Sequence, residues 1–148
     1  MAYYKAKVIN GSLNLRQSAS TSAKKLASIP EGTVLIVNDN YSSAKVWAHT
    51  YYGKNAGYVM TEFLEQTGSA EFWEYLFGTK NLYDGCSDSY YVRNLQHYLN
   101  LHGANIAEDG SFGTGTDTAL RDFQAQNGLG VDGIAGPATK AALVVSPD

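Results

Sequence analysis

Cysteine is almost missing from this 148-residue chain: the single Cys86 excludes an internal disulfide and leaves the fold to packing and hydrogen bonds. No apolar run approaches the ~18 residues that a membrane span needs. The opening residues, Met1-Ala-Tyr-Tyr-Lys-Ala-Lys-Val8, hold no apolar h-region, so they encode no secretory signal. Three readings fit that expectation: a phage protein released by lysis, a fragment whose signal lies elsewhere, or a cytosolic protein. Lysine and arginine form no run and the formal net charge is −3, which argues against a nucleic-acid partner.

The residues that carry hydrolytic chemistry are scarce too. Cys86 as a nucleophile needs a histidine in hydrogen-bond reach. The downstream candidates, His97 and His102, fall in a short helical stretch, so an incidental thiol is the better reading. A zinc site needs three or four ligands at short reach. His49 lies in a strand, and His97 and His102 are five apart, poorly placed for one helix face. Asp109 and Asp132 would be a tempting glycosidase pair, but each opens an Asp-Gly turn. There a carboxylate bonds backbone amides and its pKa is lowered, the opposite of what an acid catalyst needs. No catalytic residue, metal ligand or cofactor site is therefore expected, and the chain reads as a binding protein rather than an enzyme.

What the chain does contain is a repeat. Asp109-Gly-x-x-Gly113-x-x-Thr116-x-x-Ala119-Leu120 returns in the same register as Asp132-Gly-x-x-Gly136-x-x-Thr139-x-x-Ala142-Leu143. Asp-Gly supplies a turn, the second glycine can cap a helix, and Pro137 suits a first helical position. Thr116, Ala119, Leu120 and Phe123 share one helical face. Upstream, Val92, Leu95, Leu99 and His102 keep the same spacing, Asp88 or Ser89 offers an N-cap and Gly103 a stop. Three helices are expected, at about 89–102, 114–126 and 137–144. Leu95-Gln96 is the counterpart of Phe123-Gln124.

These residues, from Val92-x-x-Leu95-Gln96-x-x-Leu99 through Asp109-Gly-x-Phe112-Gly113 and Phe123-Gln124 to Ala142-Leu143, closely resemble the peptidoglycan-binding domain of bacterial cell-wall hydrolases. Thr114 stands where the second repeat has proline. The resemblance implies a shallow groove between helices that receives muropeptide, with Gln96, Tyr98, Phe112, Thr116 and Gln124 near it. Phe112 could equally be core, and the two glutamines could equally satisfy backbone groups between helices.

The segment 1–66 differs from the rest in charge and pattern. It carries seven Lys/Arg against four Asp/Glu, net +3, whereas segment 67–148 carries four against ten, net −6, which indicates two modules. Segments 6–10, 13–16, 33–38, 46–52 and 57–60 read as five short strands of a small barrel. Asn10-Gly11 reads as a tight turn, and the serine-rich 17–25 as an excursion. Leu13-Asn14-Leu15-Arg16, Ile29-Pro-Glu-Gly32-Thr33-Val34, Trp47 and Gly57-Tyr58-Val59 before Phe63-Leu64 resemble the bacterial Src-homology-3-type (SH3b) barrel of cell-wall proteins. Tyr58 stands where that family more often has tryptophan. Trp47 is expected in the core, and Arg16 is expected to pair with a carboxylate and fix the excursion.

The expected fold class is thus two small domains: an all-β SH3-like barrel at 1–66, an aromatic-rich helical connector at 67–84, and an all-α three-helix peptidoglycan-binding domain at 85–148. Tyr3, Tyr4, Tyr41, Tyr51, Tyr52 and Tyr58 crowd the β half, where tyrosine can stack on a sugar and offer its hydroxyl. Each could instead cover an edge strand. The function expected is non-catalytic binding of peptidoglycan at the cell wall or outside the cell, with anionic wall polymers as a further partner of the basic half. Two alternatives stand: the binding portion of a larger hydrolase or phage endolysin, and an intracellular peptide-binding module.

Overall fold

A computed structural model describes residues 3–40 and 45–146. The chain folds as two compact units, Met1–Tyr75 and Leu76–Asp148.

The first unit is built on β1 (Tyr3–Val8), β2 (Leu13–Arg16), β3 (Lys25–Ile29), β4 (Val34–Asn38), β5 (Trp47–Tyr52), β6 (Asn55–Met60) and β7 (Leu64–Ser69). All pairings are antiparallel, in the order β3-β2-β6-β5-β4-β1-β7. Period-two alternation decides what is buried. In β1, Tyr4, Ala6 and Val8 turn inward, joined by Leu13, Leu15, Ile29, Leu35, Val37, Ala48 and Val59 in one core.

This sheet corrects the expected fold class: it is one seven-stranded ladder with two ends, not a five-strand SH3-like barrel set before a three-helix domain. The strands absent from the sequence reading are β3 and β7, which are the two ends. An end strand is hydrogen-bonded on one side only, so it needs little apolar patterning. β7 (Leu-Glu-Gln-Thr-Gly-Ser) exposes Glu65, Gln66, Thr67 and Ser69, and β3 exposes Lys25 and Ser28. Trp47 also departs from expectation. Ala48 and Thr50 take the buried side of β5, and Trp47 is left half-buried on the opposite face with His49 and Tyr51. Arg16 does fix the excursion, but by donating from Nη1 to the Ala23 carbonyl (3.0 Å) rather than by pairing with a carboxylate.

The second unit holds α2 (Ser89–Leu101), α3 (Thr114–Gln126) and α4 (Pro137–Leu143); the boundary between units falls within α1 (Phe72–Phe77). In α2 the buried residues are Val92, Leu95, Gln96 and Leu99, at the i, i+3, i+4, i+7 spacing of one face. α3 buries Thr116, Leu120, Phe123 and Gln124. Pro137 opens α4 behind Gly136, where its missing N–H is no loss. The unit is not purely helical: Leu82 and Ala135 form an isolated antiparallel bridge, closed by N–H···O bonds of 3.2 and 2.8 Å. Lys140 is fully buried, and its ammonium donates to the carbonyls of Gly78 (2.8 Å) and Lys80 (2.6 Å).

Candidate functional site

The repeat becomes intelligible through its glutamines. The Gln96 amide, 1% exposed, donates from Nε2 to Asp109 Oδ1 (3.2 Å), the Ser111 carbonyl (3.0 Å) and Thr116 Oγ1 (3.0 Å). Its Oε1 accepts from the Gly110 N–H at 2.9 Å. Gln124 repeats the arrangement around Asp132 Oδ1, the Ile134 carbonyl and Thr139 Oγ1, and accepts from the N–H groups of Asp132 and Gly133. Each aspartate closes its own turn by accepting from the residue two ahead, Ser111 or Ile134, both at 2.9 Å. Those backbone bonds first, and the glutamine amides second, hold both carboxylates below the usual aspartate range.

Gly110 must be glycine here. Its φ is +79°, and an added Cβ would stand 2.7 Å from the Ser89 carbonyl oxygen.

The two repeats differ in length at one place. The stretch from Gln96 to its aspartate, Asp109, is longer than the stretch from Gln124 to Asp132. That surplus extends α2 and the loop after it, and loop residues 103–107 wall two adjoining hollows of about 540 and 450 Å³. The larger has an apolar floor of Leu99, Ile106, Ala119 and Phe123, with Asn105 and Asp122 among its polar residues. His102 also lines it; the ring packs edge-on against Phe123 (centroids 4.9 Å apart), and Nε2 donates to the Leu143 carbonyl at 2.8 Å. The smaller hollow is lined by Gln96, Asp109, Ser111 and Thr116.

In the first unit, the face of the sheet opposite the core gathers aromatics. Tyr3 lies 5.3 Å from both Phe72 and Tyr75, and Tyr51 lies 5.1 Å from Tyr75. His49 meets Tyr51 and Tyr58 edge-on, and its Nδ1 shares a 2.6 Å hydrogen bond with the Tyr75 hydroxyl. Lys5 pairs with Glu74 at 3.4 Å beside this cluster.

Burial lowers the His49 pKa to about 4. The unfolded chain therefore takes up a proton near pH 6.5 that the folded unit refuses until about pH 4, and stability falls as pH drops through that window. With solvent screening of a partly exposed ring, the expected loss is about 2 kcal/mol between pH 7 and 4. Urea melts followed by tryptophan emission check it: His49→Gln flattens the slope, and an unchanged slope refutes the assignment.

The expected ligand residues separate into three sets. Tyr3, Tyr51 and Tyr58 come together in the aromatic face, whereas Tyr4 is core and Tyr52 packs against the core's edge. Tyr41 lies outside the described residues. In the second unit Gln96 and Thr116 line the smaller hollow, but their polar groups hold the first turn; Gln124 holds the second, Phe112 is buried, and Tyr98 stacks edge-on with Phe77 and His97. Tyr75 and Asp122 were not singled out, because neither belongs to a repeated motif, and His49 and His102 were weighed only for catalysis, metal binding or helix spacing and not as ligand-binding residues. Among the described residues no group of three or more His, Cys, Asp or Glu is placed to hold a metal. Cys86 lines a polar hollow with Asn81, Ser87 and Asp88.

Comparison with known proteins follows this division. Residues 89–143 match the family model described as "Putative peptidoglycan binding domain". The chain is 57% identical over 37 residues to a zinc D-Ala-D-Ala carboxypeptidase of Streptomyces albus G, which is 25% of this chain and 14% of that protein. It is 50% identical over 54 residues to a spore cortex-lytic enzyme of Bacillus cereus, covering 36% of this chain and 21% of that one. The chain thus spans about a fifth or less of the length of these two curated relatives. A crystal structure of the SleB N-terminal domain is similar at 42% identity and a TM-score of 0.42, over 46% of this chain and 93% of that one. The family match thus covers residues 89–143, the segment that holds the two glutamine-held turns and the cleft between α2 and α3.

Proposed function

We propose that the chain is a non-catalytic targeting module that holds a wall-active protein on peptidoglycan, with the cleft between α2 and α3 as the contact. The observation that carries this reading is the coincidence of the matched segment, 89–143, with a cleft built by the surplus residues of the first repeat. An amphipathic hollow with an apolar floor and polar walls suits a short peptide or amino sugar. The β unit, net +3 over segment 1–66, would add attraction to anionic wall polymers. Its place of action is the wall or the outside of the cell.

A second reading is that the chain is the binding portion of a larger hydrolase, bacterial or from a phage. Similarity to parts of two wall-active enzymes, a zinc D-Ala-D-Ala carboxypeptidase and a spore cortex-lytic enzyme, supports it. The two readings ask the same of these residues.

Co-sedimentation with purified sacculi, with turbidity followed in the same tubes, tests the proposal. The chain should pellet with the wall in a saturable manner and leave turbidity unchanged. Clearing would overturn the non-catalytic reading; failure to pellet would overturn the binding reading.

A further inference from the structure

The cleft's charge pattern points to which part of the wall it takes, an inference that rests on the proposal above. Neither hollow is lined by a lysine or arginine, and the two carboxylates present are Asp122 and Asp109. Asp109 is occupied by the first turn. Asp122 is exposed and makes no hydrogen bond or ion pair among the described residues. The neighbouring Arg121 does not neutralise it, because that guanidinium is committed to Asp117 (3.1 Å) and the Asp132 carbonyl (3.2 Å). His102 lines the same hollow with its Nε2 committed to the Leu143 carbonyl. Beside the neutral Asn105, Thr114, Thr118 and Gln126, the larger hollow offers one acidic group, the free Asp122 carboxylate, over an apolar floor, which suits a ligand that brings positive charge on a short aliphatic arm.

Peptidoglycan supplies one such group. Its stem peptides carry a diamino acid whose second amine is a free ammonium until it accepts a cross-link, which turns it into a neutral amide. We propose that the cleft receives this diamino-acid side chain, with the aliphatic part on Leu99, Ala119 and Phe123 and the ammonium on Asp122, so that the domain prefers stems whose diamino acid has accepted no cross-link. Asp122 is then a specificity residue. The contact is charge-assisted but solvent-accessible, so its expected worth is about fivefold to tenfold in affinity and it weakens with salt.

The test is titration calorimetry of the full chain with two soluble probes, a disaccharide-tripeptide ending in the diamino acid and the same molecule acetylated on its free amine. Wild type should bind the amine form about fivefold to tenfold more tightly. Asp122→Asn should bind both forms alike, at the acetylated level, with an unchanged helical signal. Asp84→Asn, the same charge change at an exposed residue outside both hollows, should keep the preference. Equal wild-type affinity for the two probes, or a preference that survives Asp122→Asn, overturns the inference and leaves wall binding intact. Binding to sacculi but to neither probe also overturns it, because the site is then elsewhere. Binding to nothing overturns the targeting proposal along with it.

Discussion

Gln96→Leu should abolish most of the stability of the helical unit, by about 4 kcal/mol. Leucine is close in size, so the change leaves little cavity; what it removes is hydrogen bonding. The Gly110 N–H, the Ser111 carbonyl and the Thr116 hydroxyl all lose their partner at once. Gly110 and Thr116 are buried, so water cannot freely replace the amide, and each stranded group costs about 1–3 kcal/mol. A unit of this size has only about 4–10 kcal/mol to lose. The two units can be read separately. Trp47 and Trp73 both belong to the first unit, while α2, α3 and α4 belong to the second, so emission follows one and 222 nm ellipticity largely follows the other. The mutant should lose its ellipticity transition at far lower urea than wild type and keep the emission transition. A wild-type ellipticity melt would show that the turn does not depend on this amide.

Lys140→Ala should cost the same unit about 4 kcal/mol, for a different reason. Here a long, fully buried side chain is cut back, leaving a cavity, and the Gly78 carbonyl loses its donor in a place water does not reach. The Lys80 carbonyl belongs to an exposed residue and can be hydrated instead. Lys140→Met separates the two contributions because it refills the volume without restoring the bond. It should recover about half of the loss, since an apolar side chain also avoids the desolvation of a buried ammonium. Equal denaturation midpoints for the alanine and methionine variants would mean that the bond, not the packing, sets the cost.

How much of this was legible in the sequence depended on whether a residue's role repeats. The Asp-Gly turns, Gly136-Pro137 and the helical faces of Leu95, Leu99, Leu120 and Phe123 recur at fixed spacing, and α2, α3 and α4 begin and end close to where that spacing places them. The glutamines were visible as a pair, with two roles open; only coordinates show their amides bonded to the turns. The β unit was read less well for physical reasons. In Trp-Ala-His-Thr-Tyr-Tyr either alternate set could face the core, and bulk favoured the wrong one. The buried side takes small residues, Ala48 and Gly57, because the strands approach closely: a Cβ on Gly57 would stand 2.5 Å from the Arg16 carbonyl. The ends of the ladder, β3 and β7, carry too many polar residues to announce a strand. Asp122 had no local signal at all, since a lone aspartate on an exposed helical position looks like any solvated charge until loop 103–107 closes a cleft beside it.

The glutamine-held turns bear on how this protein ages. Asp-Gly is the dipeptide most prone to isomerise, by attack of the glycine nitrogen on a protonated aspartate carboxyl to form a cyclic imide. In both copies that nitrogen already donates to a glutamine oxygen, and the carboxyl is held ionised by the amides it accepts. The same bonds that set the fold therefore shield these two Asp-Gly links, whose isomerisation becomes a property of the unfolded fraction.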